Sequence, residues 1–187
     1  MRLICAISRV FFTLIILTLF FTACVSAGTE TLITVNTSGS IQQAPAIWDE
    51  WIVWEDNRDS ITGRDIYAYN IVSGEERRIS HSTYARNPAI YNNIVVWQDS
   101  RPAGGPFNIY LYNLTTGTEE IPLYPDSLSQ TSPAIDKTKI VWQVQQNNGK
   151  FDIMLFEYPS MTVPINLTPN TLTSDQKNPD ISEHLVV

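Results

Sequence analysis

The sequence predicts an all-β protein made of stacked blades, each of four short antiparallel strands. Three observations carry this. A Pro-Ala-Ile segment occurs at Pro45, Pro88 and Pro133 and starts again as Pro179-Asp180-Ile181, with the prolines 43, 45 and 46 residues apart. A period in that range marks similar supersecondary units repeated along one chain. The apolar runs inside each unit are β-branched and aromatic and are bounded by Gly, Asn, Ser and Pro, which is the composition of strands. After the first 27 residues no stretch places apolar residues at helical spacing between a cap and a stop.

The elements of one unit follow in a fixed order. The Pro-Ala-Ile strand leads into IVWEDNR (Ile52 to Arg58), VVWQDSR (Val95 to Arg101) or IVWQVQQ (Ile140 to Gln146). About ten residues on comes a third strand, DIYAYN from Asp65, NIYLYN from Asn108 or DIMLFE from Asp152. A turn at Ser73-Gly74 or Thr116-Gly117 precedes a fourth apolar run around Ile79, Ile121 or Ile165. The boundaries that result are a leader at 1–27, the last strand of a split blade at 28–43, repeats at 44–86, 87–131 and 132–177, and the start of a fourth repeat at 178–187.

Taken together, P-A-I, I-V-W-x-D-x-R, D-I-Y-x-Y-N and the Gly turn resemble the TolB-type, WD40-like β-propeller repeat, in the form common on prokaryotic and especially archaeal surface proteins. The resemblance spans about Thr31 to Val187. It implies a propeller fold and an interaction scaffold, and it implies no particular activity. The third copy departs from the pattern, with Val144 and Gln146 where the others have Asp and Arg.

Leu32 to Asn36 reads as the last strand of a blade, because Ile33-Thr34 precedes Pro45 by the same twelve residues that separate Leu167-Thr168 from Pro179. Joined to the strands after Pro179, it would close a ring of four blades. Each blade must cover both faces, so three arrangements stay open: part of a longer propeller, a ring completed by copies of the chain, or closure as it stands.

The leader has Arg2 and Arg9, an apolar run from Val10 to Phe21 and small residues at Val25-Ser26-Ala27, the pattern of a secretory signal. The run is short for a membrane span. Cleavage after Ala27, lipid attachment at Cys24 and an uncleaved anchor remain as alternatives. Membrane contact is expected only through that leader or lipid. Cys5 and Cys24 are the only cysteines, so a cleaved chain has no disulfide framework.

Removing the leader takes two arginines and no acids, which moves the net charge from −7 to −9. Such a surface repels phosphate backbones and argues against nucleic acid as a partner. Asn36, Asn113 and Asn166 head N-x-S/T sequons that permit glycosylation in an exported protein.

Other side chains are weighed by recurrence. Asp56, Arg58, Asp59 and Asp65 gather oxygen ligands in one loop, yet the arginine among them favours pairing within the loop over calcium. Asp99 with Arg101 reads the same way, and Asp152 holds the Asp65 position. Trp54, Trp97 and Trp142 recur at one site, as rings packed between blades require. Trp48 lacks a Trp counterpart in the other copies and is the surface-contact candidate. No G-x-S-x-G elbow or thiol–His pair occurs after the leader, and His81 and His184 have no recurring carboxylate partner. The expectation is an exported module with no catalysis or cofactor of its own that binds a protein or glycan at the cell surface. The alternatives are the substrate-gating part of a hydrolase, or a remnant of a longer repeat protein.

Overall fold

The computed structural model describes residues 30–33, 39–59, 63–101, 104–120, 123–169, 174–183 and 185–187. The leader with Cys5 and Cys24, the sequon residue Asn36, Ile121 and His184 lie outside these residues. Residues 33–187 form one compact unit.

That unit contains three four-stranded antiparallel sheets, each a meander in chain order. The first holds β1 (Gln42–Trp48), β2 (Trp51–Asp56), β3 (Asp65–Asn70) and β4 (Glu76–Arg78). The second holds β5 (Ala85–Tyr91), β6 (Ile94–Asp99), β7 (Asn108–Asn113) and β8 (Thr118–Glu120). The third holds β9 (Gln130–Asp136), β10 (Lys139–Gln145), β11 (Phe151–Glu157) and β12 (Ile165–Asn166). A two-stranded sheet follows, with β13 (Ile181–Ser182) and β14 (Leu185–Val186). Leu32 and Ile33 are not in a strand, and the rest of the expected N-terminal strand, 34–36, lies outside the described residues.

Local chemistry explains the hairpins. Two-residue loops join β1 to β2 and β5 to β6, and the first loop residue in each has positive φ, 49° at Asp49 and 53° at Asn92. Asp and Asn tolerate that region better than most L residues, and the conformation matches the twist of the flanking strands. At the far end of the third strand, the Asn70 side chain accepts from the amides of Val72 and Ser73, and Asn113 accepts from those of Thr115 and Thr116. These Asx turns lead into Gly74 and Gly117, both at positive φ.

The fourth strand of the third sheet, β12, falls on Ile165 as expected, whereas that of the first sheet falls earlier than its apolar residue suggests. β4 ends at Arg78, just before Ile79. Ile79 is buried nonetheless, and its amide shares the Ile66 carbonyl with that of Ser80. Two donors on one acceptor break the ladder, so the side chain serves the core without belonging to a regular strand.

The sheets pack face to face. Val53, Ile66, Ala68 and Ile79 of the first meet Ala85, Ile90, Val95 and Trp97 of the second. Val96, Ile109 and Leu111 on the other face of the second meet Ile140, Trp142 and Phe156 of the third. Val141 and Ile153 then meet Ile181 and Val186. Because side chains alternate across a strand, β6 supplies Val95 and Trp97 to one interface and Val96 to the next. The leading face of the first sheet is less covered, for Ile47 is 62% exposed where its counterpart Ile90 is 7% exposed.

Candidate functional site

Trp97 lies in the interface between the first and second sheets and Trp142 in that between the second and third. Trp54, expected between blades as well, takes the same register position on the leading face of the first sheet and belongs to neither cluster, because no further sheet packs on that face among the described residues. Trp54 lies opposite Tyr67 across the β2–β3 ladder and Trp97 opposite Tyr110 across β6–β7, with ring centroids 6.0 and 6.1 Å apart. Trp142 lies opposite Met154. All three are buried. The indole N–H of Trp54 donates to Asp56 at 3.1 Å, and that of Trp97 to Asp99 at 3.2 Å. In the third sheet Val144 replaces the aspartate, and the buried Trp142 Nε1 has no partner among the described residues. Trp97→Phe removes a satisfied donor and strips Asp99 of a bond, whereas Trp142→Phe removes a donor that has none. Chemical denaturation should therefore show Trp97→Phe costing about 1 kcal/mol more than Trp142→Phe.

The aspartate that holds the indole also holds an arginine. Asp56 accepts from Arg58 Nε and Nη2 at 2.8 and 2.6 Å, from the Arg58 amide, and from Gln42 Nε2. Arg58 reaches Glu76 at 2.5 Å and stacks 4.3 Å over the Tyr67 ring. Asp99 repeats the motif, accepting from Arg101 Nε and Nη2 and from Ser82 Oγ, with Arg101 4.2 Å over Tyr110. Asp65 accepts from Arg78, Ser80 Oγ and the Thr83 amide. Asp59 pairs with Arg78 and accepts from the Tyr67 hydroxyl. Burial, and then the Asp59 carboxylate, push the Tyr67 phenol up. Among the described residues no group of three His, Cys, Asp or Glu side chains is placed to hold a metal. Asp152 accepts from Gln146 and Asn166 Nδ2, each at 3.0 Å.

Burial alone would raise the Asp56 carboxyl, but the bonds from Arg58, Gln42 and Trp54 outweigh it and bring it from the ordinary 3.8 down to about 2. A depressed carboxyl stabilises the fold above its unfolded pKa, and the contribution is lost as pH falls from about 4 through 2. The loss from this one group should reach about 2 kcal/mol. Asp56→Asn should flatten that acid limb in a pH series of melting curves, and an unchanged limb would place the titration elsewhere.

A second recurring bond was not anticipated from sequence. The residue after each tryptophan is polar and buried, as Glu55, Gln98 or Gln143. Its side-chain oxygen accepts the backbone N–H at the bulge of the next sheet: Glu55 from Asn87 at 2.8 Å, Gln98 from Ser132 at 2.8 Å, and Gln143 from Asn178 at 2.7 Å. The register slips at this point in β1, β5 and β9. Ala44, Asn87, Ser132 and Asn178, each just before the repeat proline, take φ of 49°, 51°, 56° and 54°. A polar residue following Trp in every copy was the available signal.

These four positive-φ residues and the prolines after them surround one axial cavity of about 290 Å³, lined by Ala44, Pro45, Asn87, Pro88, Ser132, Pro133, Asn178 and Pro179. The lining offers small polar groups, proline rings and backbone, without a titratable side chain. Trp48 lies off the axis, 38% exposed, with its ring 4.0 Å from that of Tyr91. Asn113 and Asn166 both serve as turn acceptors, Asn166 taking the Thr168 amide.

The meander sheets, their face-to-face packing and the shared axis define a β-propeller. The fold is TolB-like. A protein assigned as TolB from Agrobacterium tumefaciens matches with a TM-score of 0.56 and 18% identity over 75% of this chain and 53% of its own. The computationally designed Ika4 protein matches with a TM-score of 0.56 and 16% identity over 85% of this chain and 91% of its own. One of the structures from a study of two prolyl endopeptidases matches with a TM-score of 0.56 and 12% identity over 83% of this chain and 26% of its own. The chain thus spans about half the length of the TolB structure and a quarter of the endopeptidase. No family model and no curated protein matches the sequence.

Proposed function

We propose that the protein is an exported propeller module that binds a protein or glycan at the cell surface, using the axial mouth and the loops around it, with no catalysis of its own. The observation that carries this reading is the axial cavity, where four copies of one positive-φ residue and its following proline converge and the lining residues supply hydrogen-bonding and apolar groups but none that could move a proton. The leader, the net charge and the likeness to TolB support a place outside the cytoplasm. Self-association that completes the ring belongs to the same reading, since the leading face of the first sheet exposes Ile47.

The test is a screen of the purified chain against immobilised surface glycans and proteins, repeated with Ser132→Trp to fill the mouth. Saturable binding that Ser132→Trp abolishes, with the melting temperature unchanged, is expected. Binding untouched by the variant would move the site off the axis. A second reading rests on the peptidase structures among the similar folds: these blades would then gate a hydrolase. A catalytic domain in the same polypeptide would favour it.

A further inference from the structure

The last residue of the first strand recurs at the β1–β2, β5–β6 and β9–β10 hairpins, as Trp48, Tyr91 and Asp136. Between the first and second sheets this row is closed by rings, with the Trp48 and Tyr91 centroids 4.0 Å apart and their planes tilted by 34°. Between the second and third sheets no ring stands at the corresponding position. Asp136 takes that place, and its carboxylate accepts the amide of Glu183 in the β13–β14 hairpin. Beside Tyr91, a cavity of about 350 Å³ opens between the second and third sheets.

The lining is apolar where it meets the core and polar where it meets solvent. Ile94 and Ile135 pack against the buried cluster between these two sheets, whereas Asn92, Lys137 and Thr138 are exposed. Asn92 and Lys137 occupy the same hairpin corner in successive sheets, at φ of 53° and 55°, and among the described residues the Lys137 ammonium has no ion pair. The Thr138 hydroxyl donates to Glu157 at 3.2 Å. Around this hairpin the acids Asp136, Glu157 and Glu183 outnumber Lys137 and Lys139, in a chain of net charge −7. An anionic ligand would therefore meet like charge. The volume lies at the low end for small-molecule sites, which suits one ring of a ligand.

We infer that this cavity holds a neutral sugar ring of a glycan, with a C–H face of the sugar on Tyr91 and its hydroxyls bonded to Asn92 and Lys137. A sugar ring matches both halves of the lining. Its C–H face covers the aromatic ring and the two isoleucines, and its hydroxyls, each a donor and an acceptor, meet the amide and the ammonium. An aromatic side chain from a protein partner would match the apolar half and leave Asn92 and Lys137 without acceptors. Trp48 packs on Tyr91 and backs the platform, which gives the partly exposed indole a part in binding. The cavity adds a second site to the proposed binding module and shares no lining residue with the axial mouth, so the two sites stand or fall separately.

Titration of the protein with methyl glucoside, methyl galactoside, methyl mannoside, glucuronate and N-acetyltyrosinamide, followed through the ring resonances of Tyr91 and Trp48, tests the site. At least one neutral glycoside should shift the Tyr91 signals saturably and bind more tightly than glucuronate or N-acetyltyrosinamide. Lys137→Gly removes the ammonium at a corner whose φ of 55° suits glycine, so the fold should be kept while affinity falls about fivefold or more. Tyr91→Leu keeps an apolar side chain but takes away the ring, and should weaken binding by a similar factor. Ser132→Trp, at the axial mouth, should bind the glycoside as the parent does. Absence of a saturable shift with all three glycosides, tighter binding of glucuronate or N-acetyltyrosinamide, or parent affinity in Lys137→Gly would overturn the assignment.

Discussion

Trp97→Ala is expected to lower stability by about 3 to 5 kcal/mol, the range for large aromatic side chains removed from a packed core. The residue sits in the wedge between the first two sheets, fully buried against Val53, Ile66 and Ala68 on one side and bonded to Asp99 on the other. Neither side can collapse into the space, because both are held by strand ladders at fixed separation. For a domain whose total stability is 5 to 15 kcal/mol, a loss of this size removes a large fraction of the folded population. Trp48→Ala provides the contrast. Its ring is partly exposed and packs on Tyr91 alone among aromatics of the described residues, so the cost should be about 1 kcal/mol. Urea melts of the two variants decide the matter. Equal costs would remove the distinction between a wedge tryptophan and a surface one.

Asp99→Val should cost about 3 kcal/mol or more, because it takes from the partly buried Arg101 guanidinium the carboxylate that two of its nitrogens bond and leaves the Trp97 indole donor unpaired. The third repeat shows how the same position is built without charge. There Val144 and Gln146 stand where Asp99 and Arg101 stand, and Gln146 finds Asp152 instead. The double substitution Asp99→Val with Arg101→Gln copies that solution. It should recover at least half of the loss, since removing both members of a buried ion pair is far milder than removing one. Thermal melts of the single and double variants give the coupling directly. A double variant no more stable than Asp99→Val alone would show that the arginine is not what makes the aspartate necessary.

The period and the residue types made the blades legible, because packing between like sheets forces like residues to recur. Trp54, Trp97 and Trp142 repeat for that reason, and the structure places Trp97 and Trp142 between sheets, whereas Trp54 is buried on the leading face of the first sheet outside those clusters. The Asp56–Arg58 and Asp99–Arg101 pairs were legible because their partners lie two residues apart on one strand end. The bonds from Glu55, Gln98 and Gln143 were not. Each acceptor takes a backbone N–H more than thirty residues away, and a main-chain donor leaves no side-chain signature. The positive φ at the bulges shows the same limit. Asn87 and Asn178 hint at it, whereas Ala44 and Ser132 do not; at Ser132 the Gln98 acceptor of the preceding sheet and the following proline hold the chain there.

Hydrogen exchange at the indole nitrogens tests the central claim, that repeated units stack as propeller blades with Trp97 and Trp142 sealed between them. The account predicts slow exchange at Trp54 and Trp97, held by Asp56 and Asp99, slow exchange at Trp142 through burial alone, and fast exchange at Trp48. Trp142 should also resonate apart from the other two slow signals, since its proton lacks a carboxylate acceptor. Exchange at Trp97 and Trp142 as fast as at Trp48 would contradict the stacking of the blades.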